Sequence, residues 1–207
     1  PVLAVEIDRD LGAALQERSD KNLTVVVGDV LRMDWAKLLS APPYKLIANL
    51  PYNISSQILF RVLEHRRLFQ LLVLMFQKEV GERLIAEAGS RDYGILSVLM
   101  QTWFRIDRVV KVPPKAFYPP PKVDSSLLRL TPDEDAIGRI RDPALLNRIL
   151  SQAFSQRRKT LRNALKGLAD APILESLGID ASARAETVTV EAYVLLANRL
   201  AEQTRES

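Results

Sequence analysis

The strongest constraint on this chain is an alternation that stops. Before Thr131-Pro132-Asp133, short apolar runs and helix-spaced stripes take turns, and after it no β-rich run follows. The runs are Pro1–Asp8, Thr24–Val27, Lys45–Leu50, Leu71–Phe76, Ile106–Val112 and Ser126–Leu130. Apolar or β-branched runs of this length, bounded by turn residues, read as strands. Between them, Leu11, Ala14 and Leu15 follow Asp8 at helical spacing, and Asp8 is suited to cap that helix. Ile54, Ile58, Leu59, Val62 and Leu63 form a second stripe, and Lys78–Ala88 and Ile95–Gln101 read as further helices. This order predicts an α/β fold around a mainly parallel sheet. The last two runs are joined through the Pro-rich segment 113–121 without a helix, which predicts an antiparallel pair at one edge. Past the break, Pro143–Phe154, Arg157–Leu168, Pro172–Leu177 and Val190–Ala201 all read as helices. The prediction is an α/β domain over residues 1–133 followed by a small all-α domain over 134–207.

Composition narrows the chemistry. With 47% hydrophobic and 26% charged residues, the chain is globular in class, neither disordered nor membrane-like. The longest apolar run, Leu71–Phe76, is far short of the roughly 20 residues a spanning helix needs. No basic-then-apolar leader precedes the first strand, and the absence of cysteine fits a reducing compartment, so a cytoplasmic location is expected. Lacking cysteine and holding a single histidine, His65, the sequence predicts no metal centre, no thiol nucleophile and no histidine base. His65 reads as a solvated residue at a helix end, and Trp35 and Trp103 as packing residues. Net charge is only +4, but residues 155–167 hold five cations and no acid: Arg157, Arg158, Lys159, Arg162 and Lys166. On a helix, Arg158, Arg162 and Lys166 share one stripe, where like charges repel unless phosphates neutralise them. The alternative is a solvated face.

Ligands of open α/β sheets bind beyond the carboxyl ends of the strands. Three polar clusters fall there: Glu6-Ile7-Asp8, Gly28-Asp29-Val30 and Asn49-Leu50-Pro51-Tyr52. An acid at one strand end can accept ribose hydroxyls, and an acid at the next can accept a purine amine. Together they describe a nucleoside-shaped slot, although acids after strands also serve as ordinary helix caps. The third cluster offers an amide oxygen and a backbone carbonyl at close spacing, two acceptors able to grip both hydrogens of one amine. Its tyrosine can stack on a flat base. An ordinary Asn-x-Pro turn is the other reading.

Asn-Leu-Pro-Tyr-Asn-Ile-Ser at 49–55 resembles the amine-binding motif of the ribosomal RNA adenine dimethyltransferases. The stretch from Pro113 to Ser125, with Phe117 inside it, is similar to a second motif of that family. Gln77–Val80, Phe154–Thr160 and Arg184–Thr187 resemble further family segments, and the likeness runs from residue 1 to about 201. It is nearest the bacterial branch that dimethylates two adjacent adenosines near the 3′ end of small-subunit rRNA. The resemblance implies a Rossmann-like methyltransferase sheet using S-adenosylmethionine. It places Glu6 on the cofactor ribose, Asp29 and the Val30 backbone on the cofactor adenine, and Ile7 against that ring. It puts Asn49 and the Leu50–Pro51 backbone on the target amine, with Asn49 also among the cofactor contacts, and Tyr52 and Phe117 on either face of the target base. Arg157, Arg158, Lys159, Arg162 and Lys166 would meet rRNA in the immature small subunit.

The family carries a Gly-rich loop after its first strand, and none of the eight glycines here forms a G-x-G-x-x-G. Pro1 falls on what matches the family's second strand, so the resemblance implies an N-terminally truncated sheet with two open edges and weakened cofactor binding. Two rivals stand beside the main reading. One is a large-subunit rRNA methylase of the macrolide-resistance type, whose amine motif more often has isoleucine after the asparagine. The other is a non-catalytic rRNA-binding assembly factor.

Overall fold

Asp8 starts the first helix as expected. Its carboxylate accepts the Asp10 and Leu11 N–H groups at 2.9 and 3.0 Å, satisfying donors that a helix start otherwise leaves open. The computed structural model of the chain describes residues 1–18, 21–156 and 158–206. It begins β1 (Val2–Glu6), α1 (Arg9–Glu17), β2 (Leu23–Val27), α2 (Trp35–Leu38), β3 (Tyr44–Asn49), α3 (Ser55–Glu64) and β4 (Phe69–Gln77). Then come α4 (Lys78–Leu84), α5 (Ile95–Trp103), β5 (Phe104–Val112) and β6 (Ser125–Pro132). The remaining elements are the helices α6 (Glu134–Arg139), α7 (Pro143–Phe154), α8 (Leu161–Ala164), α9 (Ala171–Ser176) and α10 (Val190–Glu206).

The strands form two sheets, β1-β2 and β3-β4-β6-β5. β1 runs parallel to β2, with Glu6 opposite Val27, and β3 runs parallel to β4, with Asn49 opposite Met75. Among the described residues, β1, β2, β3 and β5 each pair on one side only. β6 is antiparallel to both β4 and β5, so the expected antiparallel pair stands at the far edge.

β4 lies between β3 and β6, and its composition explains why. Leu72, Leu74 and Phe76 are fully buried, facing Leu128 and Leu130 of β6 and Ile58, Leu59 and Val62 of α3 in one cluster. Each such side chain contributes about 1.5–3 kcal/mol on burial. α5 joins the sheet to the later helices, packing on α6, α7 and α10. Strand-bearing elements precede residue 133 and helices follow it, while one buried core runs across that point.

Three readings need correction. The helix predicted over 157–168 is only Leu161–Ala164. Thr160 is extended and bridges to Arg184, and the N–H groups of Leu161 and Arg162 go to the Ala183 and Ala181 carbonyls. Gly167, at φ +82°, turns the chain away beyond it. His65 does end α3 but is not solvated: half-buried, it stacks on Trp35 with ring centroids 5.7 Å apart. The short helices α2 and α6 have no counterpart in the sequence reading.

Candidate functional site

The first two strand-end clusters come together because β1 and β2 are adjacent and parallel. The Gly28 N–H donates to the Glu6 carbonyl at 2.7 Å, fastening the two carboxyl ends. The half-buried Glu6 carboxylate accepts the Asp8 N–H at 2.9 Å through one oxygen. Asp29 accepts the Leu31 N–H at 2.9 Å through Oδ1, and its Oδ2 lies 3.4 Å from Nε of the exposed Arg32. Each carboxylate oxygen has a second lone pair, so both acids keep acceptor capacity toward a ligand. Beside Asp29, the Val30 carbonyl is taken by Trp35 Nε1 at 2.8 Å, whereas the Val30 N–H donates to no partner among the described residues. An acceptor next to a free donor matches the edge of an adenine, with its amine and its ring nitrogen. Ile7, 67% exposed at the end of β1, adds an apolar side chain beside them.

The third cluster ends β3. Asn49 is exposed, and its amide has no hydrogen-bond partner among the described residues. Leu50, 6% exposed, anchors the turn in the core. The Pro51 carbonyl accepts the Ile54 N–H at 3.1 Å and is spent on the turn. The Leu50 carbonyl accepts nothing among the described residues, so it is the free backbone acceptor beside the Asn49 amide. Tyr52 is half-buried; its carbonyl accepts the Ser55 hydroxyl at 3.1 Å, and its own hydroxyl lies 3.0 Å from Ser125 Oγ.

That last contact ties the amine motif to the end of the Pro-rich segment. Ser125 opens β6 and is fully buried. The sequence reading includes it in a motif but gives it no task; only its partner, 73 residues away, reveals one. Phe117, half-buried, lies on the same segment and makes no ring contact with Tyr52. The next ring, Tyr118, is fully exposed.

The basic segment lies in the helical part. Arg157 falls outside the described residues. Arg158, Lys159, Arg162 and Lys166 are exposed, and none forms an ion pair among the described residues. Because α8 is four residues long, Arg158, Arg162 and Lys166 do not form the helical stripe that their spacing predicts. A cavity of about 340 Å³ between α5, α6 and α10 includes none of these residues.

Comparison with known proteins gives one answer. Residues 1–202 match the family described as Ribosomal RNA adenine dimethylase. A Ribosomal RNA small subunit methyltransferase A of Syntrophotalea carbinolica is 55% identical over 203 residues, covering 93% of this chain and 75% of the relative. Its counterpart from Chromobacterium violaceum is 49% identical, covering 95% and 75%. Among solved structures, a dimethyladenosine transferase from Plasmodium falciparum superposes with a TM-score of 0.83 at 26% identity, covering 98% of this chain and 82% of the other. The 23S rRNA methyltransferase ErmE shares the fold, with a TM-score of 0.70 at 24% identity over 97% of this chain and 82% of the other.

Proposed function

The chain belongs to the ribosomal RNA adenine dimethylase family, and from that membership we propose a specific task for it. It dimethylates the N6 amines of two adjacent adenosines near the 3′ end of small-subunit rRNA, within the immature small subunit. The observation that supports this most is the turn after β3, where the Asn49 amide and the Leu50 carbonyl stand without a partner among the described residues, on the same turn as Tyr52.

The cofactor of this family is S-adenosylmethionine, and the residues present fit it. Glu6 suits the ribose, Asp29 and the Val30 N–H suit the adenine edge, and Ile7 packs against that ring. When bound, the cofactor supplies a methyl group made electrophilic by its sulfonium. The chain's own residues do the rest. An adenine amine is a poor nucleophile, because its lone pair is delocalised into the ring. Asn49 Oδ1 and the Leu50 carbonyl accept its two hydrogens, which favours the geometry that points the lone pair away from the ring plane. No base of matched pKa is required, and catalysis comes from orientation and charge placement. Tyr52 and Phe117 hold the base between their rings. Arg158, Lys159, Arg162 and Lys166 supply contacts to RNA phosphates.

The test is methyl transfer to small subunits that lack these marks, read by reverse transcription. An N6-dimethylated adenosine has no amine hydrogen left for pairing, so extension should stop at two neighbouring positions. Transfer to large-subunit RNA instead, or none to either, would refute the proposal.

A further inference from the structure

Tyr52 is held at both ends. Its main chain is pinned by the Ser55 hydroxyl at 3.1 Å, and its phenol oxygen by Ser125 Oγ at 3.0 Å. These two anchors differ in kind. Ser55 lies three residues away on the same turn, at the start of α3. Ser125 is fully buried on a strand with a neighbour on each side, opposite Gln77 of β4 and Val112 of β5. The adjoining Lys78 N–H donates to the Asp124 carbonyl at 2.9 Å, so the strand is secured where Ser125 begins it.

We infer that Ser125 is a positioning residue for the base slot: through its hydroxyl it fixes the ring of Tyr52 in the plane on which the target adenine stacks. The inference rests on the reading of Tyr52 as a stacking residue. A tyrosine side chain has two soft torsions, and a bond at its far end removes that freedom before the base arrives. The ring that meets the base is then already in place, and the amine is presented to Asn49 and Leu50 at a fixed distance. Stacking area alone predicts that phenylalanine replaces Tyr52 at little cost. The bond to Ser125 predicts otherwise: phenylalanine keeps the stacking face, loses the anchor, and leaves the Ser125 hydroxyl buried without that partner.

The test compares Ser125→Ala, Tyr52→Phe and the double variant in the intact protein, with Asn49→Ala alongside. The measurements are single-turnover rate, KM for undermethylated small subunits, cofactor affinity and melting temperature. Each single variant should lower the rate about tenfold, the worth of one net hydrogen bond. KM should stay within about twofold, and cofactor affinity should not change. The double variant should be no slower than either single one, because both remove the same bond. A purely structural serine would lower the melting temperature without touching the rate. A wild-type rate in Ser125→Ala, or losses that multiply in the double variant, would overturn the assignment. If Ser125→Ala does not fold, Tyr52→Phe probes the bond from its half-exposed side, and a wild-type rate there overturns it equally. A near wild-type rate in Asn49→Ala would instead bring down the reading of the slot, and the role of Ser125 with it.

Discussion

Replacing Asn49 by alanine should separate chemistry from folding. The residue closes β3 opposite Met75, is exposed, and its amide holds no hydrogen bond among the described residues. Its loss should therefore change stability by no more than about 0.5 kcal/mol. The buried anchor of the turn is the neighbouring Leu50, which the substitution leaves alone. Turnover is another matter. Of the two acceptors proposed to hold the amine, one disappears while the Leu50 carbonyl, being backbone, remains. Removing one positioned polar group of this kind costs about 10²–10³ in rate, or roughly 2.7–4 kcal/mol of transition-state stabilisation. The residual rate should exceed background, because one acceptor and the stacking rings survive. Methyl incorporation into undermethylated small subunits under single-turnover conditions measures the rate, calorimetry the cofactor affinity, and thermal melting the fold. The rate should fall by that factor while the other two hold. A near wild-type rate, or loss of cofactor binding in its place, would refute the amine-holding assignment.

Three further outcomes are expected. Exchanging Arg158, Arg162 and Lys166 for glutamine should weaken small-subunit binding and reduce the log–log salt slope by about 0.7–0.9 for each phosphate no longer neutralised; an unchanged slope would return these cations to a solvated face. Gly81→Ala should destabilise by about 1 kcal/mol in a urea titration, because the new Cβ would meet Ser126 Cβ at 2.9 Å and overpacking exceeds the gain in helix propensity; a raised midpoint would contradict the close crossing of α4 over β6. Tyr93 and Tyr193 donate to the Val188 and Ala185 carbonyls at 2.9 Å. Burial raises both pKa values, with Glu191 adding to Tyr93, and Tyr93 and Glu186 adding to Tyr193. A raised folded pKa favours the protonated fold, so this stability is full below the ordinary tyrosine pKa of about 10 and is lost as pH rises beyond it. Tyr93→Phe should flatten the alkaline decline of the urea midpoint between about pH 9 and pH 11.

What could be read in the sequence was local. α7 spans the predicted Pro143–Phe154 because its signals lie within it: Asp142 accepts the Leu145 N–H, Pro143 opens the first turn, and Leu146, Ile149, Leu150 and Ala153 make the buried stripe. The strand-end clusters were legible for the same reason, since each is a few consecutive residues after an apolar run. Pairings over distance were not. Nothing near Thr160 announces that Arg184 will bridge to it and convert a basic helix into a four-residue turn of helix. Nothing near Ser125 announces Tyr52. The turn proposed to grip the amine is short and shows in the sequence, while the serine that holds its tyrosine ring belongs to a strand formed much later in the chain.

The shortened helix also changes the ground on which the basic segment stands. Like charges at successive helical turns would have argued for phosphates through their mutual repulsion, and that stripe does not exist. The case now rests on the fold around Thr160. Its bridge to Arg184 brings another exposed cation against the segment that holds Lys159 and Arg162. The charge concentration is thus set by tertiary pairing as well as by the run of cations in sequence. Arg184 lies just before Glu186, whose carbonyl receives the Gly89 N–H at 2.7 Å from the stretch linking α4 to α5. The basic surface is therefore fastened to the strand-bearing part of the chain through main-chain bonds. RNA held by these cations would then be positioned relative to the turn after β3, as a substrate whose target base must enter a slot requires.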